Sequence, residues 1–257
     1  WKSNTEEERL LGVSLTGIMD STVTNKPKDG FLNQLKQSTI DTNKEFAKKL
    51  KIPQSTAITC VKPSGTVSQL VDSASGIHTR HNPYYIRTVR CDKKDPLTQL
   101  MIDKGVPHEP DVTKPDSVMV FSFPTESPKG SITRNDKNAI EQLELWLKYQ
   151  REWCEHKPSV TISVKEHEWM EVGAWVYKHF NEVSGISFLP YTDHVYKQAP
   201  YQDITREEYL EWKKKMPKTI DFSLLSEYES EDNTTGSQEL ACTGGVCELV
   251  DTTQEVA

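Results

Sequence analysis

The sequence predicts an α/β protein, and three observations carry that prediction. Short runs rich in β-branched and aromatic residues recur along the chain, helix-length amphipathic segments separate them, and no internal repeat or low-complexity tract breaks the alternation. Strand following helix over most of the length implies parallel pairing through crossover helices, in a layered or barrel arrangement.

The elements follow in order. "NTEEERLLGVSLTGIMDS", residues 4–21, opens with Asn4 as a cap and glutamates in a first turn, and Leu10, Val13, Leu15 and Ile18 make an approximately helical apolar set, which predicts a helix. A second helix is predicted over 38–51, with Ser38 or Asp41 as cap, Ile40, Phe46, Ala47 and Leu50 facing inward, and Pro53 as its stop. "STAITCVK" (55–62) then reads as a short buried strand, and further strands are predicted over 84–90, 117–124, 159–164 and 185–191. Helices intervene at 95–104, 138–155, 166–183 and 206–216. Beyond Pro217 the text turns acidic and polar ("SEYESEDNTTGSQE"), which predicts an extended, flexible tail.

Composition excludes several classes. The chain has 257 residues, enough for a substantial core, yet only 35% of them are hydrophobic. Mean hydropathy is -0.64 and no apolar run reaches the length of a membrane-spanning helix, so no membrane role is expected. A net charge of -7 gives no electrostatic reason to bind nucleic acid, while free nucleotides stay open as ligands. The cysteines (Cys60, Cys91, Cys154, Cys242 and Cys247) are odd in number and scattered, which fits a reducing, cytoplasmic setting better than a secreted disulfide framework. The chain starts Trp1-Lys2-Ser3, with neither methionine nor signal peptide, and reads as a piece of something longer.

Two motifs invite chemistry. After the strand at 55–62, Pro63, Ser64, Gly65, Thr66 and Ser68 gather hydroxyls and backbone N–H groups around a glycine, a combination suited to an anion such as phosphate. The ending lacks the Gly-Lys-Ser/Thr of a Walker loop, and an ordinary Pro-Ser-Gly turn has the same composition for conformational reasons alone. Near the other end, Cys242 and Cys247 flank Thr-Gly-Gly-Val, a spacing that permits a disulfide through the paired glycines. Idle surface thiols are the plainer alternative, and two ligands without a nearby histidine fall short of a metal site. Glu239 and Glu248 should raise these thiol pKa values.

Taken together, "TCVKPSGTVSQLVDSASGIHTRHNPYYIRTVR", the downstream "SGISFLPYTDHVYKQAPY" and the terminal "ACTGGVCE" resemble the catalytic chain of adenosylcobalamin-dependent, class II ribonucleotide reductases, most closely the ribonucleoside-triphosphate reductase branch. The resemblance covers essentially the whole chain. It implies the C-terminal part of a ten-stranded α/β barrel over 1–221, and a flexible acidic tail over 222–257. It implies that Pro63, Ser64, Gly65, Thr66 and, with less weight, Ser68 hold the ribonucleotide's phosphates; the Ser68 hydroxyl has the competing role of capping the next helix. Cys242 and Cys247 become the dithiol that carries electrons from thioredoxin or a similar protein into the barrel. The chemistry implied is cobalamin-initiated, thiyl-radical reduction of ribonucleotides to 2′-deoxyribonucleotides. The family's Asn-x-Cys-x-Glu radical motif is absent from the sequence, so a missing N-terminal part is expected to supply it, and the chain is not expected to act alone.

The other residues take bland readings. Cys60, Cys91 and Cys154 are expected to pack as small hydrophobes, and His78, His81, His167 and His179 to be ordinary histidines with no metal to hold. Lys62 reads as solvated; Arg80, Arg87 and Arg90 are candidate contacts for nucleotide or cobalamin; Tyr191, Asp193, His194 and Tyr201 are placed at the border of the active site without a catalytic role. A stand-alone nucleotide-phosphate-binding module would leave the cysteine pair without purpose, and a tail-only redox protein would leave the loop without one. The reductase reading uses both.

Overall fold

The computed structural model describes residues 1–191 and 196–229, with the backbone alone of 240–243 and 246–249. The chain divides into two compact units: one made of Trp1–Tyr85, Thr125–Tyr196 and Tyr201–Tyr209, the other of Ile86–Pro124, Lys197–Pro200 and the described residues from Leu210 on.

The first unit opens on helix α1 (Lys2–Glu8), whose cap is Trp1 and not Asn4. Arg9 takes a left-handed φ of 47° and ends it, and Leu10–Ser14 becomes strand β1, which corrects the helix expected over 4–21. The reason is long-range: β1 lies parallel to β2 (Ala57–Cys60), with Leu10 opposite Ala57 and Ser14 opposite Cys60, and this ladder outweighs a weak local helical pattern. The connecting helix α2 (Phe31–Leu50) is capped at Gly30, eight residues earlier than a Ser38 cap would have it, and ends at left-handed Lys51. With that register Leu32 and Ala47 are buried, while Phe46 (50% exposed) and Leu50 (64%) face water, contrary to expectation.

After β2 comes the single turn α3 (Val67–Leu70). Later in the same unit, α5 (Ala139–Glu152) carries a capping box in which Asn138 and Glu141 satisfy each other's backbone N–H groups. It leads to β6 (Val160–Val164), α6 (Trp169–Lys178, after a 3-10 turn over Glu166–Glu168) and β7 (Ile186–Pro190). β6 and β7 are parallel, and a parallel bridge from Val61 to Pro158 links them to β2, so β1, β2, β6 and β7 all point the same way. The helices pack on these strands. Leu32, Val61, Leu143, Trp146, Leu147, Trp153, Ile162 and Val164 form a core at 0–2% exposure, where each large side chain contributes roughly 1.5–3 kcal/mol by leaving water. The Trp146 and Trp153 indole N–H groups donate to the carbonyls of Pro158 (2.7 Å) and Cys60 (2.8 Å), so neither ring is buried with an orphaned donor.

The second unit holds most of β3 (Tyr84–Asp92), then α4 (Pro96–Asp103), β4 (His108–Pro110) and most of β5 (Val118–Glu126). β4 and β5 are antiparallel, with His108 opposite Phe121. Hydrogen bonds from Lys93 N to Ser117 O and from Ser127 N to Pro83 O show that β3 and β5 run antiparallel as well. Parallel pairing therefore fails here: the β4–β5 connection over 111–117 is too short for a crossover. Met101, Val106, Met119 and Phe121 make this unit's own core. Helix α7 (Arg206–Lys215) and a helical turn α8 (Leu225–Tyr228) follow the strand β8 (Tyr201–Asp203), and the Tyr228 hydroxyl donates to Asp103 at 2.9 Å. Beyond, β9 (Leu240–Thr243) and β10 (Val246–Leu249) pair antiparallel.

Candidate functional site

In open α/β sheets ligands bind beyond the carboxyl ends of parallel strands, and the Pro63–Ser68 stretch leaves the carboxyl end of β2. Pro63, Gly65 and Thr66 are exposed and Ser64 is half-buried. The turn is tied from both sides: Ser64 N–H donates to Ser75 Oγ (2.8 Å), and Ser68 N–H donates to Ser64 Oγ (2.8 Å). The Ser68 hydroxyl is fully buried and donates to the Ser64 carbonyl, so its hydrogen is committed to holding the loop. Ser64 Oγ accepts in that arrangement and still has a hydrogen to give, and Thr66, the residue at the start of α3, makes no side-chain cap bond. Lys62 is exposed, its backbone N–H held by Ser14 Oγ at 2.9 Å.

A second segment, 72–80, backs the loop. Gly76 has a φ of 54°, and a Cβ there would lie 2.7 Å from the Lys62 carbonyl oxygen, so only glycine lets the two backbones approach. Its N–H donates to Thr16 Oγ1 (2.9 Å), and Ala74 N–H donates to Asp20 Oδ2 (2.7 Å). His78 bridges outward: Nδ1 lies 3.0 Å from the Ser75 carbonyl, while Nε2 accepts the Thr161 N–H at 3.0 Å. This pattern requires a neutral ring, and burial, the main influence on it, lowers the His78 pKa accordingly. Arg80 is buried against Asp20 and Asp72, which removes it from the open nucleotide contacts.

The carboxyl ends of β6 and β7 bring together residues distant in sequence. The Tyr191 hydroxyl donates to Asn135 Oδ1 (2.6 Å), with the Arg134 guanidinium 4.8 Å and the Lys165 ammonium 5.7 Å from its ring centre. Arg134 also pairs with Asp203 (2.7 Å), whose other oxygen lies 2.7 Å from His81 Nε2. Burial and then the Arg134 charge pull the His81 pKa down to about 4, and the ring is stacked on Tyr201. Asp193 and His194 lie outside the described residues. In the second unit, Arg90 is paired with Asp111 (2.8 Å) and the Gln198 carbonyl (3.1 Å).

No protein-family model matches the chain. Over 231 residues it is 30% identical to the adenosylcobalamin-dependent ribonucleoside-triphosphate reductase of Euglena gracilis, covering 87% of this chain and 32% of that protein. It is 32% identical over 210 residues to a probable enzyme of the same name from Dictyostelium discoideum, covering 78% and 27%. The crystal structure of a B12-dependent, class II ribonucleotide reductase matches the fold with a TM-score of 0.73 at 22% identity, over 90% of this chain and 36% of that one. The chain is a homologue of the class II ribonucleotide reductases.

As such a homologue it spans about a third of the length of the curated relatives it matches. Among the described residues no three His, Cys, Asp or Glu side chains converge on a position for a free metal ion, which says nothing of the cobalamin of those names, since its cobalt brings its own corrin ligands. The chain's buried cysteines are shielded: Cys60 and Cys154 are 5% and 7% exposed, Cys91 is half-buried, and burial pushes all three thiols up, Cys154 to about 12. Among the described residues no helix is long and apolar enough to cross a membrane. The β9–β10 pairing puts Cys242 and Cys247 at one register position of the two backbones. Thr16, Asp20, Arg134, Asn135 and Asp203 were not legible in the sequence, because each acts with partners far along the chain, and Asp72, eight residues from Arg80, sits in no motif that marks it.

Proposed function

We propose that this chain is the C-terminal portion of a ribonucleoside-triphosphate reductase, completing a ten-stranded α/β barrel with the remainder of that enzyme. In this reading Ser64, Gly65 and Thr66, preceded by Pro63, cradle the substrate's phosphates, and Ser68 shapes the turn. The observation that carries it is the exposed, doubly tied Ser64–Thr66 turn at the carboxyl end of β2, in a chain homologous to reductases over most of its length. The alternative of a stand-alone phosphate-binding module is not favoured, since the relatives are reductases.

Replacing the ribose 2′-hydroxyl by hydrogen takes two electrons and two protons and releases water, leaving an enzyme dithiol as a disulfide. A Cys242 or Cys247 thiolate attacks that disulfide and one active-site sulfur leaves as thiolate and takes up a proton; the second tail thiolate then attacks the first tail sulfur in the mixed disulfide and expels the other active-site sulfur, which is protonated in turn. The active-site dithiol is then restored and the tail holds the disulfide, which thioredoxin or a similar dithiol protein reduces. The residues 222–257 act as the carrier, adenosylcobalamin is the cofactor of the assembled enzyme, and the setting is cytoplasmic.

The test is to combine this chain with the remaining segment of the reductase and measure deoxynucleotide formation. Thioredoxin should drive many turnovers, whereas the double variant Cys242→Ser, Cys247→Ser should stop after about one, the thiols inside the barrel supplying the only electrons. Sustained thioredoxin-driven turnover by the double variant would overturn the carrier role.

A further inference from the structure

The backing of the nucleotide loop converges on one guanidinium. Arg80 is 6% exposed, and its own backbone is fixed, its N–H donating to Ile132 O and its carbonyl accepting from Arg134 N–H, both at 2.9 Å. From that anchor it donates through Nε and Nη2 to the Asp20 carboxylate (3.2 and 2.9 Å). It also donates through Nη1 to Asp72 Oδ1 (2.8 Å) and through Nη2 to the Asp72 carbonyl (2.6 Å). Asp72 sits at a φ of 46°, a left-handed conformation that a non-glycine residue keeps only when its surroundings enforce it. Asp20 in turn accepts the Ala74 N–H, so both ends of Asp72–Ala74 are tied to the same cation. The next residue is Ser75, whose hydroxyl oxygen receives the Ser64 N–H.

We propose that Arg80 is a positioning residue for substrate: it touches no nucleotide, but through Asp72 and Asp20 it sets the place of Ser75, and through Ser75 the place of the phosphate turn. The inference rests on the phosphate-loop reading of Ser64–Thr66 given above. A merely structural ion pair would affect stability alone. A positioning residue weakens nucleotide binding when perturbed even in protein that stays folded.

The experiment uses the complete reductase and follows steady-state reduction of a ribonucleoside triphosphate, with Arg80→Lys, Asp72→Asn and Thr66→Ala as variants and unfolding curves run beside the kinetics. Lysine keeps the charge but not the fork that reaches two carboxylates at once. The expected result is a KM for the nucleotide raised about tenfold in Arg80→Lys and Asp72→Asn, with kcat nearly unchanged, the signature of lost ground-state binding. Unchanged KM in both, with KM raised in Thr66→Ala, would overturn the role of Arg80 and leave the loop reading standing. Unchanged KM in Thr66→Ala would remove the loop reading and this inference together. Should Arg80→Lys fail to fold, Asp72→Asn decides, since that side chain is 71% exposed and its replacement leaves the core intact.

Discussion

His78 Nε2 accepts the backbone N–H of Thr161 at 3.0 Å, from a ring whose other nitrogen is held by the Ser75 carbonyl. One imidazole thereby joins the segment that backs the Pro63–Ser68 turn to the start of β6, and it does so only while Nε2 carries no proton. The folded-state pKa is lowered, mainly by burial, so the unfolded chain binds a proton that the folded chain refuses. Stability is fully present above the ordinary imidazole pKa of about 6.5 and declines as pH falls from there toward the lowered value, by at most about 1.4 kcal/mol per pH unit for this one proton. His81 adds a contribution of the same sign. Urea unfolding of His78→Asn between neutral and mildly acidic pH should show a shallower dependence than the parent; an unaltered slope would mean that His78 does not titrate in this way.

Gly76 is expected to tolerate no side chain. Alanine would hold a φ of 54° with its Cβ 2.7 Å from a backbone carbonyl that cannot swing away. The cost should be about 1–3 kcal/mol, accompanied by weaker nucleotide binding as the base of the turn is pushed out. Gly105, at a φ of 77° with nothing within 4 Å of the added atom, is the control: it should lose only the left-handed backbone strain, about 1–2 kcal/mol, and less than Gly76, which adds the overlap. Thermal unfolding of the two alanine variants makes the comparison.

Asp111 anchors the second unit. Burial alone would raise its pKa, but bonds from Thr113, Lys114 and Arg90 overcome that and hold the carboxyl far below the usual range. Its contribution is therefore complete above about pH 4 and is lost as pH falls below that toward its folded-state pKa. Asp111→Asn, which removes the charge and swaps an acceptor for a donor, should cost about 2 kcal/mol at neutral pH. Denaturant unfolding reads the loss, and a variant as stable as the parent would count against it.

Trp153→Phe keeps an apolar ring in the core but removes the indole N–H that satisfies the Cys60 carbonyl. An unpaired buried acceptor costs about 1–3 kcal/mol, and the same change at Trp146, which strips the Pro158 carbonyl, should fall in that range. A pair of losses well below it, measured by urea unfolding, would show that water reaches those carbonyls.

What the sequence disclosed followed locality. β2, β6 and β7 were legible because β-branched and aromatic residues fall in short runs there. α5 was legible because Asn138 and Glu141 write its start three residues apart. β1 was misread because Leu10, Val13 and Ile18 imitate a helical stripe, while the β2 partner that decides the matter lies over forty residues away. The beginning of α2 was hidden because its cap is a left-handed glycine with no capping side chain. The candidate site divides in the same way. Pro63–Thr66 is contiguous and could be read, but Arg80 and Asp20 stand sixty residues apart and leave no local trace. Strand direction was legible in part: alternation of helix and strand announced parallel pairing, as in β6–β7, but not that β4 and β5 turn back on each other.

All five residues of β1 are exposed, with Leu10, Leu11 and Val13 at 53%, 46% and 41%, and among the described residues only β2 pairs with it. A greasy ribbon with no second strand along its other border recruits whatever extended peptide it meets, including copies of itself. Purified in isolation at high concentration, the chain should cloud with time, and a lysine placed at Leu11 should slow the clouding by putting a charge where a neighbouring ribbon would have to settle.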